Sequence, residues 1–287
     1  MSTTALYLAG ATSALRVSGE DARDFLHAQF SADLRALDIG TTLVTAWLNP
    51  KGRVLFLPRV LRGPDAFFLL LPAAQAPAFA KRLRMFVLRA RVQIDDGAER
   101  GVLVLHGMPT PSALRADIVG GRDAASGAIY LVGPPRALED LAVTLGAAPL
   151  DADGATLAAI RAGAPLLEAT LAEEFLPQEL NLDLLAGVSF NKGCYPGQEI
   201  VARVKFRGTV KRRAQRWLAV GADCPAPGAR LLGADGAPHG TVLAAARGDA
   251  GVELLAVTDL DAGTVTLDDA ARTPLTALPL PYPLTGA

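Results

Sequence analysis

The residues best suited to chemistry lie in one stretch, FLPQELNLDLLAGVSFNKGCYPGQEIVARVKFRGTVKRR, from Phe175 to Arg213. Cys194 stands between Gly193 and Tyr195, with Lys192 two residues before it and Pro196, Gly197, Gln198 and Glu199 after it. Pro196 suits the first turn of a helix, and Glu199 complements the positive end of that helix's dipole. A cysteine just ahead of such an end, with an ammonium nearby, is favoured as thiolate over thiol, below its free pKa of about 8.5. Gly193 and Gly197 permit close backbone approach by a ligand or partner at the sulfur. A lone cysteine is more often a small buried hydrophobe, but Lys192, two glycines, Gln198 and Glu199 are unusual neighbours for a core filler. Cys224, between Asp223 and Pro225, reads as a turn residue without a role.

Beyond the motif, Ile200, Val201 and Val204 form the inner stripe of a helix, with Arg203, Lys205 and Arg207 projecting away. From Arg203 to Arg216 the chain holds Arg203, Lys205, Arg207, Lys211, Arg212, Arg213 and Arg216 and no acidic residue. Such a run is a solvated face or a resting place for an anion: a polyglutamate tail or RNA. Phe206 reads as core, so no aromatic is interleaved on that face and base stacking has little support.

The elements that must position these groups alternate without a strict βαβ rhythm, which predicts an α+β fold. Ser18-x-x-Asp21 reads as a helix start, and Ala22, Phe25, Leu26 and Phe30 carry the helix to about Phe30. Thr42–Leu48 and Arg53–Leu61 read as strands around the turn Asn49-Pro50-Lys51-Gly52. Ala66–Leu71 and Val102–His106 are further strands. Helices are predicted from Pro77 to about Leu88 and over Arg136–Leu145, the latter opened by Pro134-Pro135 and stopped by Gly146. After Trp217 come short apolar runs at Trp217–Val220, Gly240–Ala244, Glu253–Val257 and Thr264–Leu267 between Gly, Pro and Asp turns, as in a small all-β module. The expected division is 1–215 and 216–287.

Composition narrows the classes. The 287 residues are 51% hydrophobic and 20% charged, enough for a large core, and Lys+Arg 28 against Asp+Glu 29 gives net charge −1. That balance argues against whole-protein attraction to nucleic acid or anionic membrane. Two cysteines thirty residues apart and His27, His106 and His239 scattered singly give no metal-ligand spacing. A resident iron–sulfur cluster ordinarily takes four thiolates. There is no G-x-G-x-x-G and no phosphate-cradling P-loop. The opening MSTTALYLAGATSALRVSG has no basic n-region followed by an apolar run, and no stretch reaches the ~20 residues of a membrane span. The expected setting is the cytoplasm.

Asn191-Lys192-Gly193-Cys194-Tyr195-Pro196-Gly197-Gln198-Glu199, followed by Arg203 and Lys211-Arg212, resembles the signature of YgfZ-type proteins, relatives of the glycine-cleavage T protein, a folate-dependent aminomethyltransferase. Ile160-Arg161-Ala162-Gly163-Ala164-Pro165 is similar to the family's R-x-G-x-P element, and Leu176-Pro177-Gln178-Glu179-Leu180-Asn181 to its P-Q-E element. Val17–Leu34 and the closing Leu280-Pro281-Tyr282 also match. The resemblance implies interlocked α/β lobes around a central cavity holding tetrahydrofolate, a C-terminal β-barrel, and a role in assembling or repairing iron–sulfur proteins, including cluster-containing tRNA-modifying enzymes. Carried over by position, Cys194 and Lys192 are the functional centre, shaped by Gly193, Tyr195, Gly197, Gln198, Glu199 and Arg203. Arg161, Gln178 and Glu179 are implied folate contacts, although Gln178 and Glu179 also suit a helical turn after Pro177.

One departure bears on activity. T proteins carry a catalytic aspartate in a segment that matches Lys51-Gly52-Arg53-Val54-Leu55-Phe56, and no carboxylate stands there. The chain is therefore expected to be a folate-dependent accessory protein working through Cys194, a true aminomethyltransferase, or an RNA-associated module using the strip from Arg203 to Arg216.

Overall fold

The computed structural model describes residues 5–8, 11–111, 113–146 and 148–284. They form two compact units, each assembled from separated stretches of chain: residues 1–47, 56–151 and 185–196 make the first, and 48–55, 152–184 and 197–287 the second. The two units are thus interlaced along the sequence.

The first unit is built on a sheet of ten strands among the described residues. At its centre, Thr41–Val44, Arg59–Arg62, Ala66–Pro72 and Thr12–Ser18 pair antiparallel in that order. Gly101–His106, Ile129–Gly133 and Val119–Asp123 continue it on the other side, Val119–Asp123 meeting Thr41–Val44 in parallel. Both faces are covered, so Ala66–Pro72 reads as an unbroken apolar run. On one face Leu15, Val17, Leu26, Phe30, Trp47 and Phe79 make a core, with the Trp47 ring 6.0 Å from Phe30 and 5.3 Å from Phe79. Helices α1 (Ala22–Gln29) and α2 (Ala76–Arg84) close that face; α3 (Pro135–Leu145) covers Leu103, Leu105, Ile129 and Leu131 and ends at Gly146 with φ 60.

The second unit holds α4 (Ala152–Arg161), α5 (Gln198–Arg207) and an antiparallel sheet of six strands. The order is Val265–Leu267, Arg230–Gly233, Pro238–Gly248, Gly251–Asp259, Arg212–Ala219, Leu275–Leu278. Its two edges come together where Thr266 bridges Pro274 and Leu267 N–H bonds Thr273 O, so the sheet curls toward a barrel around Trp217, Leu231, Val242 and Leu254.

Several expected boundaries move, for identifiable reasons. α1 starts after Asp21 rather than Ser18, because Ser18 ends the strand Thr12–Ser18. The Asp21 carboxylate accepts the Arg91 N–H instead of capping its own helix. The strand expected over Thr42–Leu48 breaks at Thr45-Ala46, where Thr45 Oγ1 and the Ala46 N–H turn to Ser31 Oγ. Pro58 divides the one expected over Arg53–Leu61. α2 stops at Arg84, its end loosening into i→i−3 bonds from Met85, Phe86 and Val87. Helix α5 opens at Gln198, leaving Pro196 outside it. The strand Arg212–Ala219 runs through position 216, the expected domain boundary.

Candidate functional site

The loop carrying Cys194 is fastened to α1 within the first unit. Ser31 Oγ donates to Gly187 O at 2.7 Å and Ser189 N–H donates to Ser31 O at 2.9 Å. Lys192 then directs its ammonium at the C-terminal carbonyls of α1 and just beyond: His27 O, Phe30 O at 2.6 Å and Ala32 O at 2.9 Å. A helix end presents unsatisfied carbonyls and a negative dipole pole, and an ammonium has three donors to answer them. All three are committed here. Burial draws the Lys192 pKa down to about 8, against the opposing charge of Asp33. The ammonium also lies 5.1 Å from the centre of the Tyr195 ring, which is buried, and burial pushes the Tyr195 hydroxyl up to about 12. His27, packed in the same place, is held below its ordinary value by burial and then by the Lys192 charge, so it is neutral at pH 7.

Between the part-buried Lys192 and the buried Tyr195, Cys194 is exposed with a free thiol. It precedes the first residue of α5 by four positions, so the helix end is more remote from the sulfur in sequence than the spacing predicts. Gly193 is exposed, and a Cβ built there meets nothing within 4 Å. The chain's own packing does not demand glycine at 193.

Gly197 is different. It belongs to the second unit, sits at φ 77 as the residue before α5, and a Cβ there would lie 2.5 Å from Asn49 O and 2.9 Å from Gly52 Cα. Only glycine allows α5 to start against the turn Asn49-Pro50-Lys51-Gly52. Asn49 holds that turn: its Oδ1 accepts the N–H groups of Lys51 and Arg53, and its Nδ2 donates to Glu173 Oε2 at 2.7 Å. Arg53 donates to Glu179 Oε2 at 3.2 Å, and the same oxygen accepts the Leu176 N–H at 2.7 Å. Two carboxylates from the chain thus come to the turn, and both already have donors.

Gln178 is buried, at 1% exposure, and donates from Nε2 to Val201 O at 2.8 Å. That bond fixes the amide orientation and leaves Oε1 as a buried acceptor without a partner among the described residues. Arg161 donates from Nε and Nη2 to Glu253 Oε1, and Arg216 donates to Glu253 Oε2 at 2.8 Å. Burial raises the Glu253 carboxyl, but the two arginines outweigh it and hold it below the usual range.

Arg213 and Tyr282 draw the remaining motif elements together. Arg213, 1% exposed, donates to Gln178 O, to Asn181 Oδ1 and to both oxygens of Asp183, at 2.9–3.3 Å. Tyr282 donates to Gly163 O at 2.6 Å and accepts from Asn181 Nδ2 at 3.3 Å. The R-x-G-x-P element, the P-Q-E element and the closing tyrosine therefore meet through backbone and amide bonds. The basic run predicts Arg213 on a solvated or anion-resting face, and it lies buried on Asp183 instead, because a buried cation inside a basic run has no local signature. Gln198 begins α5, while Glu199 and Arg203 are exposed on it.

A cleft of about 250 Å³ in the first unit is lined by Arg16, Phe68, Glu99, Arg100, Asp117 and Pro134, none of them in the motif. Among the described residues there is no cluster of three or more His, Cys, Asp or Glu able to hold a metal, and no helix is long and apolar enough to cross a membrane.

No family model matches the chain. The fold matches the crystal structure of glycine cleavage system aminomethyltransferase T from Bartonella henselae with a TM-score of 0.77 at 17% identity, covering 96% of this chain and 85% of that one. At that identity the match shows the fold, and it agrees with the expected T-protein architecture. Among curated proteins, the chain is 37% identical to tRNA-modifying protein YgfZ of Edwardsiella ictaluri over 93% of its length and 89% of the relative's. Its identity to the proteins of that name from an Enterobacter species and from Cronobacter sakazakii is 31% and 30%, each over at least 93% of this chain and 90% of the relative. With the motif, the fold and these relatives in agreement, the chain belongs to the YgfZ family of tRNA-modifying proteins.

Proposed function

We propose that this chain is a tetrahydrofolate-binding accessory protein for the assembly or repair of iron–sulfur proteins, among them cluster-containing tRNA-modifying enzymes, acting through Cys194. The observation that carries the proposal is an exposed thiol on a loop pinned on one side by the part-buried Lys192 and on the other by the buried Tyr195, within the family's signature. A thiol held this way can present sulfur to a one-carbon unit or to a damaged cluster without the loop having to order first.

Tetrahydrofolate supplies a one-carbon carrier when bound. Of the residues the resemblance assigns to it, Gln178 has an unused acceptor, Oε1, suited to an N–H of a pterin edge. Glu179 and Arg161 serve the turn and Glu253. Lys192 acts as a positioning residue. Glu173 and Glu179 are tied to Asn49 and Arg53, which weighs against proton transfer by the aminomethyltransferase route.

The test is a pair of measurements on the whole chain. Cys194→Ser should keep the tetrahydrofolate affinity of the parent, read by quenching of intrinsic fluorescence. It should also fail to restore cluster-dependent tRNA modification, read by mass spectrometry of tRNA nucleosides, in cells lacking the protein. Full restoration by the variant refutes the role of the thiol, and absence of tetrahydrofolate binding by the parent refutes the ligand.

A further inference from the structure

The basic run from Arg203 to Arg216 divides into two populations in the folded second unit. Arg212, Arg213 and Arg216 turn inward to Asp259, Asp183 and Glu253. Arg203, Lys205, Arg207 and Lys211 are exposed. Arg203, Arg207 and Lys211 form no ion pair among the described residues, although acidic residues were available to their neighbours in sequence. The inward three are structural, so the outward four are not simply the solvated side of a structural network.

Phe206 stands among them with 69% of its surface exposed, contrary to the core position that its apolar character predicts. On α5 it is three residues past Arg203 and one before Arg207, and Arg203 and Arg207 are separated by ~6 Å along the axis. The face therefore presents an aromatic ring flanked by guanidinium groups, with Lys211 following in the loop after Gly208. Glu199 is the acidic residue of this helix, one turn before Arg203, and it confines the positive patch to the C-terminal two turns. Basic residues in the last turn also complement the helix dipole, but that role gives no reason to expose a phenylalanine.

We propose that the C-terminal half of α5, with Lys211, is an RNA-contact face that takes an unpaired stretch: Arg203, Arg207 and Lys211 meet phosphates and Phe206 stacks on a base. Cations beside an exposed ring are the combination that single-stranded nucleic acid uses, and base–aromatic stacking is indifferent to sequence. An acidic polypeptide would use the cations and leave the ring idle. This inference is independent of the Cys194 reading, since it concerns different residues and a different partner.

Binding of a fluorescently labelled twelve-nucleotide unpaired RNA to the full chain, followed by anisotropy between 50 and 200 mM salt, tests it. The parent should bind with affinity that falls steeply with salt. Phe206→Ala should weaken binding at least ~5-fold, the low end of one stacked base, while Phe206→Trp stays within 2-fold of the parent. The double variant Arg207→Gln, Lys211→Gln should make the log–log salt slope shallower by about 1.4, at about 0.7 per phosphate contact on a single strand. These side chains are exposed, and an unchanged circular dichroism spectrum and melting point show that each variant is folded. Absence of salt-dependent binding by the parent overturns the proposal. So does binding indifferent to Phe206 and displaced equally well by polyglutamate, which would assign the face to an acidic protein.

Discussion

Replacing Lys192 by methionine keeps the apolar stem of the side chain and removes the ammonium from His27 O, Phe30 O and Ala32 O. Hydrogen bonds to a charged group contribute about 1.5–3 kcal/mol each, so three amount to roughly 5–9 kcal/mol before the burial cost. That cost follows from the fall of the lysine pKa from 10.5 to about 8, which at about 1.36 kcal/mol per pH unit is about 3.4 kcal/mol and falls to about 3 kcal/mol or less once solvent screening of the part-buried side chain is counted. The difference, taken at its low end because the side chain is only part-buried, predicts a loss of about 2–3 kcal/mol and a fall in melting temperature of roughly 5–10 °C. The pH dependence has a definite sign. The unfolded chain keeps this proton up to about pH 10.5 and the folded chain releases it near 8, so between those values the unfolded state binds more protons and folding becomes more favourable as pH rises. The gap between parent and Lys192→Met should be flat below pH 8 and widen above it, by up to about 3 kcal/mol. Urea unfolding in a Trp217→Phe background reads the first unit alone, because the remaining tryptophan, Trp47, packs on Phe30. A midpoint unchanged by the substitution, together with a gap that does not move between pH 7 and 10.5, would refute the anchoring role.

Other substitutions separate backbone demand from surface tolerance. Gly197→Ala forces a Cβ into Asn49 O at φ 77 and should cost at least ~3 kcal/mol, whereas Gly193→Ala should stay within ~1 kcal/mol of the parent; thermal melts of the pair decide it. Arg213→Met strands the Asp183 carboxylate in the interior and should cost about 3–5 kcal/mol in denaturant unfolding. Tyr282→Phe removes the bond to Gly163 O and should cost about 1 kcal/mol, seen as a small shift of the second unit's Trp217 transition.

Local patterns carried much of this far. The apolar run Ala66–Leu71 gave a strand, Pro134-Pro135 and Gly146 bracketed α3, and the turn at Asn49–Gly52 formed where its residues require it. What escaped depends on distant partners. Helix α4, ADGATLAAIR, buries only Ile160 and so has too little apolar contrast to announce itself. Arg213 and Phe206 changed places: the cation went inside because Asp183, Asn181 and the Gln178 carbonyl lie in wait for it, and the aromatic stayed out. The ammonium of Lys192 was expected to serve the thiol two residues away, but the carbonyls at the end of α1, some 160 residues earlier, hold it instead.

These placements bear on which chemistry the fold retains. A carboxylate works as an acid or base when its proton can move, and that requires a group without strong competing donors. Near the turn at Asn49–Gly52, where the T-protein relationship would place such an aspartate, Glu173 and Glu179 stand in reach but accept from Asn49, Arg53 and the Leu176 N–H. Each of those oxygens is already engaged by a donor from the chain. The motif glycine at 197 packs on the same turn, so its geometry is kept while the reactive carboxylate is not. Within the signature Cys194 is exposed with a free thiol, and under the proposed function it is this sulfur, rather than a carboxylate at the turn, that would carry the chemistry on the retained scaffold.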